Sequence, residues 1–125
     1  MIDRLPNLPD GVLGFTASGQ VTANDYEAVV IPAIESQIKE RGTVRLLYQI
    51  GPAFKGFTAG AMWDDAKVGM KHLKAWEKIA VVTDVDWISG AIGIFRYAMP
   101  CPVKVFSSRQ YAEAVDWITA DRPRA

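Results

Sequence analysis

One cysteine, Cys101, and one histidine, His72, are all that this sequence of 125 residues offers of the side chains most used for metals, redox work and proton transfer. A lone cysteine forms no internal disulfide and suits a reducing cytosol, so a cytoplasmic location is expected. A Cys–His catalytic pair needs the two groups within about 4 Å. Nothing in the spacing of His72 and Cys101, the latter flanked by Pro100 and Pro102, brings them together, so a solvated His72 and a buried, inert Cys101 are expected. An excess of charge is missing too. Fourteen basic residues balance fourteen acidic ones, which leaves no broad field to hold nucleic acid. The longest apolar stretch, 87–99, is interrupted by Ser89, Gly90, Gly93 and Arg96. It falls short of the ~20 residues that span a bilayer. Residues 1–4 show no charged segment leading into an apolar run, so no signal peptide is expected. Between Gly51 and Gly60 there is a Lys55 but no Walker spacing, hence no phosphate loop.

What is present is apolar. Half the residues are hydrophobic and 22% are charged, a composition that builds one core without a metal or disulfide. Residues 1–125 read as a single domain. Residues 2–5 and 12–17, separated by the turn formers of Pro6-Asn7-Leu8-Pro9-Asp10-Gly11, predict a hairpin. Thr22, with Asp25 at the capping-box position, starts a helix that carries Tyr26, Val29, Val30, Ala33, Ile34 and Ile38 on one face as far as Gly42. Pro32 predicts a kink within it. Residues 44–50 are almost wholly apolar, as in a central strand covered on both faces, and Gly51-Pro52 should stop it. A second helix over 61–73 places Met62, Ala66, Gly69, Met70 and Leu73 on its inner stripe, with Asp64 and Asp65 in its first turn. A strand at 79–83, a very apolar helix at 87–99 and a strand at 103–106 follow. Ser107, with Gln110 at the box position, then caps a last helix carrying Tyr111, Ala114, Val115 and Ile118 inward. The order β-β-α-β-α-β-α-β-α predicts an α/β fold: a mostly parallel sheet with an antiparallel edge from the hairpin.

These elements, with Asp25-Tyr26 and Pro32, Trp63-Asp64-Asp65, Ile79-Ala80-Val81-Val82 ahead of Trp87, and Val105-Phe106 leading to Glu113-Ala114-Val115-Asp116-Trp117-Ile118, resemble the SpoIIAA-like family over essentially the whole chain. The resemblance implies a STAS-type fold related to the CRAL-TRIO lipid-transfer class. It also implies a domain whose helices can open around an apolar ligand or rest on a membrane surface. Anti-sigma-factor antagonists of this kind present an Asp-Ser-Ser/Thr-Gly phosphorylation motif after a central strand. Here that region reads Lys55-Gly56-Phe57-Thr58-Ala59-Gly60, with Thr58 as its one hydroxyl residue. A phospho-regulated partner switch at Thr58 is therefore an alternative reading.

Ligands of parallel sheets bind beyond the carboxyl ends of the strands. That rule gathers Phe54, Phe57, Asp84, Asp86, Trp87 and Ser107, with Trp63 and Asp64 entering from the second helix. An apolar cleft with a few polar groups is the usual small-molecule site. The competing reading is that the aromatics are ordinary core and Asp86 a helix N-cap. Asp64, Asp65, Asp84 and Asp86 are numerous enough for Mg²⁺ or Ca²⁺, but adjacent acids at a helix start are explained by the macrodipole. Neither a metal nor a cofactor is expected. In the helix 87–99, Ile88, Ala91, Ile92, Phe95 and Met99 face the sheet, whereas Ile94, Tyr97 and Ala98 lie off that stripe. Gly90 and Gly93 each weaken it by ~1 kcal/mol relative to alanine. A helix apolar on more than one side needs further cover: its own neighbours, a second subunit in a homodimer, an apolar small molecule or lipid, or a peripheral membrane contact. The residues thus predict a non-enzymatic binding module, with Ile94 and Tyr97 in the ligand wall. A small hydrolase or isomerase using Asp84 or Asp86 as base is the alternative, although no nucleophile, base and orienting group stand together.

Overall fold

The structure, a computed structural model, describes residues 1–6, 8, 9, 11–71, 73–88, 90 and 101–120. Strands β1 (Ile2–Arg4), β2 (Val12–Val21), β3 (Val44–Phe57), β4 (Trp76–Thr83) and β5 (Val103–Phe106) form one sheet, in the order β1-β2-β3-β4-β5. β1 runs antiparallel to β2, and every other pairing is parallel. The predicted hairpin edge and central third strand are both there.

Thr22 and Asp25 close the expected capping box, the Thr22 N–H donating to Asp25 Oδ2 at 2.8 Å and the Asp25 N–H to Thr22 Oγ1 at 3.3 Å. They start the short helix α1 (Ala23–Asp25). It passes into a π-helical stretch, Tyr26–Val30, and then into α2 (Ile31–Arg41). The predicted kink at Pro32 takes the form of this wider turn. Proline has no N–H to give and crowds the carbonyl four residues back, and the π turn, in which the Ile31 N–H reaches Tyr26 O, absorbs the misfit. α2 ends on Gly42 in the left-handed region (φ 78°), its N–H on Ile38 O at 2.7 Å.

α3 (Ala59–Lys71) links β3 to β4 through a 3-10 turn at Leu73–Ala75. The chain is helical again at residues 86–88, directly after β4. β5 leads through the 3-10 turn Ser108–Gln110 into α4 (Tyr111–Thr119). Among the described residues no helix is long and apolar enough to cross a membrane. The positions 89 and 91–99, including Ile94, Phe95 and Tyr97, and also His72, lie outside the described residues.

The two faces of the sheet are covered unequally. One carries the larger core: Phe15, Val21, Val44, Leu46, Tyr48, Ile50, Ile79 and Val81 pack with Tyr26, Val30, Ile34, Ala61 and Ile88 from the helices. Tyr26 and Tyr48 meet hydroxyl to hydroxyl at 3.4 Å within it. The other face, with Leu47, Ala80, Val82 and Phe106, is covered by Ala114 and Ile118 of α4, with Leu5 and Leu8 packed alongside. Those two leucines lie over Gly14, where a Cβ would strike both side chains.

α4 is nine residues long, marginal on its own, and charged residues on the sheet hold its end. Lys78, only 8% exposed, donates to Trp117 O at 2.8 Å and Ala120 O at 3.0 Å and stands 4.9 Å from the Trp117 ring. Arg45 donates to Ile118 O and Ala120 O and pairs with Glu77. Lys78 shares the α4 face with Ala80 and Val82 by regular alternation, and the bulge between Val44 and Arg45, where Trp76 is followed in the register by Lys78, turns Trp76 to the other face. Lys78→Met keeps the apolar stem but removes the donor to Trp117 O, while Ala120 O keeps its bond from Arg45. It should cost about 1–3 kcal/mol of stability, read from the urea midpoint, with the far-ultraviolet circular dichroism unchanged.

Candidate functional site

β3 does not stop at Gly51-Pro52. It runs to Phe57, and β2 runs with it to Val21. The reason lies in the pairing. Between Ile50 and Phe54 the β3 residues have no ladder partner on β2, and β4 pairing ends at Ile50 with Thr83. The N–H that Pro52 lacks is therefore not missed.

Beyond the sheet β2 and β3 continue as a two-stranded ribbon with shifted register: Gly19 faces Phe54, Gln20 faces Gly56, and Val21 faces Phe57. Side chains three apart on a regular strand point to opposite faces. The bulge past Lys55, with Gly56 at φ 137°, cancels that alternation. Phe54 and Phe57 thus meet at 4.9 Å between ring centroids, and Trp87 joins them at 5.9 and 6.5 Å. Each such ring pair is worth about 0.5–1.5 kcal/mol beyond its buried area. The phenylalanines are half-buried, but Trp87 keeps 56% of its surface exposed.

α3 begins two residues after Phe57, and its phase differs from the predicted one. Thr58 Oγ1 accepts from the Ala61 N–H at 3.1 Å and Thr58 O from the Met62 N–H at 3.0 Å, which starts the helix at Ala59. Gly60 fits against Ala23, whose Cβ would lie 3.0 Å from a Cβ at that position. Small residues must turn inward there, so Ala61 is fully buried while Met62 and Trp63 are 61% and 67% exposed. Met62 is thus off the inner stripe where the apolar spacing put it. Asp64 is out of the first turn, which holds no acidic residue, and is buried instead. The other positions of that stripe, 66, 69, 70 and 73, and the Asp65 side chain lie outside the described side chains.

At the ends of β4 and β5 the polar candidates are occupied. Asp84 Oδ1 accepts from the Ser108 N–H at 3.0 Å, and Oδ2 accepts from the Ser108 hydroxyl. These two bonds, aided by the charge of Arg109 against a smaller effect of burial, hold the Asp84 carboxyl below the ordinary aspartate range. Ser107 is the helix cap, its N–H on Gln110 Oε1 at 3.0 Å. Asp86 is exposed at the start of the helical residues 86–88, and Cys101 is buried. The structure therefore brings Phe54, Phe57 and Trp87 together and separates them in role from Asp84 and Ser107. Met62 and Ser108 were not among the predicted site residues. Thr58 as a cap was the available signal for the first, and a second hydroxyl beside Ser107 for the other.

A depressed aspartate stabilises the fold above its unfolded-state pKa and loses that effect as the pH falls through its folded-state value. Removing the charge with Asp84→Asn should lower the melting temperature near neutral pH, and the gap from the parent protein should close below the ordinary aspartate range. Asp25 is lowered as well, burial being outweighed by the Thr22 hydrogen bonds and the N-terminal ammonium, so the acid limb flattens rather than vanishes. Thr58→Ala removes the cap of α3 and should cost about 1 kcal/mol, measured by thermal melting.

The comparisons agree with this architecture. No curated protein is significantly similar to the chain. Among solved structures it is similar to an uncharacterized protein from the DUF3478 family of Shewanella loihica with a SpoIIAA-like fold. The two share 29% identity and a TM-score of 0.74, over 94% of this chain and 92% of the other. The SpoIIAA-like family profile matches residues 12–119, from the start of β2 to the end of α4. The chain belongs to the SpoIIAA-like family.

Proposed function

We propose that this domain is a non-enzymatic binding module that seats a small apolar ligand on the cluster of Phe54, Phe57 and Trp87. The observation that carries this reading is Trp87, more than half exposed yet stacked on two half-buried phenylalanines at the carboxyl ends of the strands. A tryptophan left in water on an ordered aromatic base retains a large area for a ligand to cover. Met62 and Trp63, exposed in the first turns of α3, extend the apolar surface from the same end of the sheet. Ile94 and Tyr97 are proposed to complete the wall. The buried lone Cys101 suits a cytoplasmic setting.

Two observations weigh against the alternatives. Asp84 has both oxygens engaged by Ser108 and a lowered pKa, which makes it a weak general base for a hydrolase or isomerase. Thr58 is spent on capping α3, so a phosphate there would compete with the helix start instead of making a clean switch.

Titration with a fluorescent fatty-acyl probe tests the reading, alongside native mass spectrometry for a retained apolar molecule. Trp87→Ser should weaken probe binding at least tenfold, with a fall in melting temperature of no more than the several degrees that its two ring pairs account for. Unchanged affinity overturns the proposal. Unchanged affinity with a loss of dimer in sedimentation assigns the face to a second copy of the chain, and loss of binding only to vesicles assigns it to a membrane surface.

A further inference from the structure

Three polar side chains are buried among the described residues: Asp64, Lys78 and Thr83. Lys78 holds the end of α4, and Thr83 Oγ1 accepts from the Val85 N–H at 3.0 Å. Asp64 differs. It is 7% exposed, and its Oδ2 is shielded from solvent with no hydrogen-bond partner among the described residues. A carboxylate oxygen withdrawn from water and left unpaired is costly to a fold. The helix dipole does not offset that cost, because it acts within the first turn and α3 begins five residues earlier, at Ala59. Nor is the burial an accident of a crowded surface. The outward positions of the same turn hold Met62 and Trp63, so the helix turns two large apolar groups to solvent and a carboxylate inward.

Asp64 lies one turn beyond Ala61 on the inner face of α3. Ala61 packs in the core layer that also includes Phe54, Phe57, Val85 and Ile88. No donor among the described residues reaches this acceptor, and a ligand is one source that can supply it. We infer that Asp64 is the polar anchor of the apolar site: it accepts a hydrogen bond from the ammonium or hydroxyl head group of a ligand whose hydrocarbon part covers the aromatic cluster. The inference deepens the binding-module reading and rests on it. It assigns the ligand class, an apolar molecule with a donating head, and it excludes a carboxylate head, which Asp64 would repel.

The test is binding of dodecylammonium, dodecanol and laurate to the whole chain by calorimetry, with the parent protein, Asp64→Asn and Asp64→Leu. The parent should bind dodecylammonium and dodecanol at least about tenfold more tightly than laurate. Asp64→Asn should shrink that preference to within about threefold. Asp64→Leu should melt at a higher temperature than the parent, since an unpaired buried carboxylate is replaced by an apolar group of similar size. Equal affinity for all three head groups in the parent overturns the anchor and leaves the apolar site standing. A lower melting temperature for both variants also overturns it, because Asp64 would then have an internal partner in solution. If none of the three molecules binds the parent, the apolar site itself fails and the anchor with it.

Discussion

Strand order equal to chain order is the constraint on which the rest of this fold depends. β2 to β5 are parallel neighbours laid down in sequence, and a parallel connection is right-handed with few exceptions. Stepping always in the same direction, such crossovers place every connecting helix on one face. The core on that face accordingly draws on the π turn, α2, α3 and the helix beginning near Asp86. The opposite face would be bare if the chain stopped at β5. A nine-residue α4 and the segment carrying Leu5 and Leu8 are what cover it. This explains why two basic side chains, buried Lys78 and half-buried Arg45, stand on the sheet beneath α4: so short a cover has to be held by its carbonyls as well as by its side chains.

The same one-sidedness places the aromatic cluster. With the helices gathered on one face, the chain leaving the carboxyl ends of β3 and β4 meets at the aromatic cluster, and β3, with β2 alongside, outruns β4 to reach it. The extension is stable only because β2 follows it, and it presents two phenylalanines on one side only because a glycine bulge breaks the alternation. Gly56 therefore sets the ring cluster by way of the backbone: a side chain at φ 137° would be strained, and the cluster depends on that turn.

What the sequence disclosed follows from how local each signal is. The boxes at Thr22 and Ser107, the glycine stop at Gly42 and the strand at 103–106 are decided within a few residues, and the structure has them in place. Gly51-Pro52 looked like a stop because proline cannot donate, but whether a donor is needed depends on which partner strand is still present, and that is a property of the sheet. The phase of α3 was misread by apolar spacing, since Met62 fits an inner stripe as well as Ala61 does. The close approach of Gly60 to Ala23, a contact between distant parts of the chain, decides between them. Asp84 and Ser108 are 24 residues apart and meet only because β4 and β5 are neighbours. Of the predicted ligand residues, the aromatic trio could be anticipated from the rule for parallel sheets, whereas the burial of Asp64 could not.

That burial changes how the apolar surface is understood. An exposed tryptophan and methionine on an otherwise well-packed domain could be mere tolerance, since much of any protein surface is apolar. A buried carboxyl group with one oxygen unpaired among the described residues is not tolerance in the same sense, because substitution by an apolar residue of its size would relieve it. The two departures have opposite signs, apolar groups left in water and a charge kept out of it, and both fall within three consecutive residues, Met62, Trp63 and Asp64, of one helix. Rotating α3 by about 100°, the angle between successive residues, would correct both at once. The fold forgoes that correction because Gly60 and Ala61 fix the helix against α1. Packing against α1 thus fixes the phase of α3, and the proposed site, an apolar surface with one inward acceptor, is a use that this phase would serve.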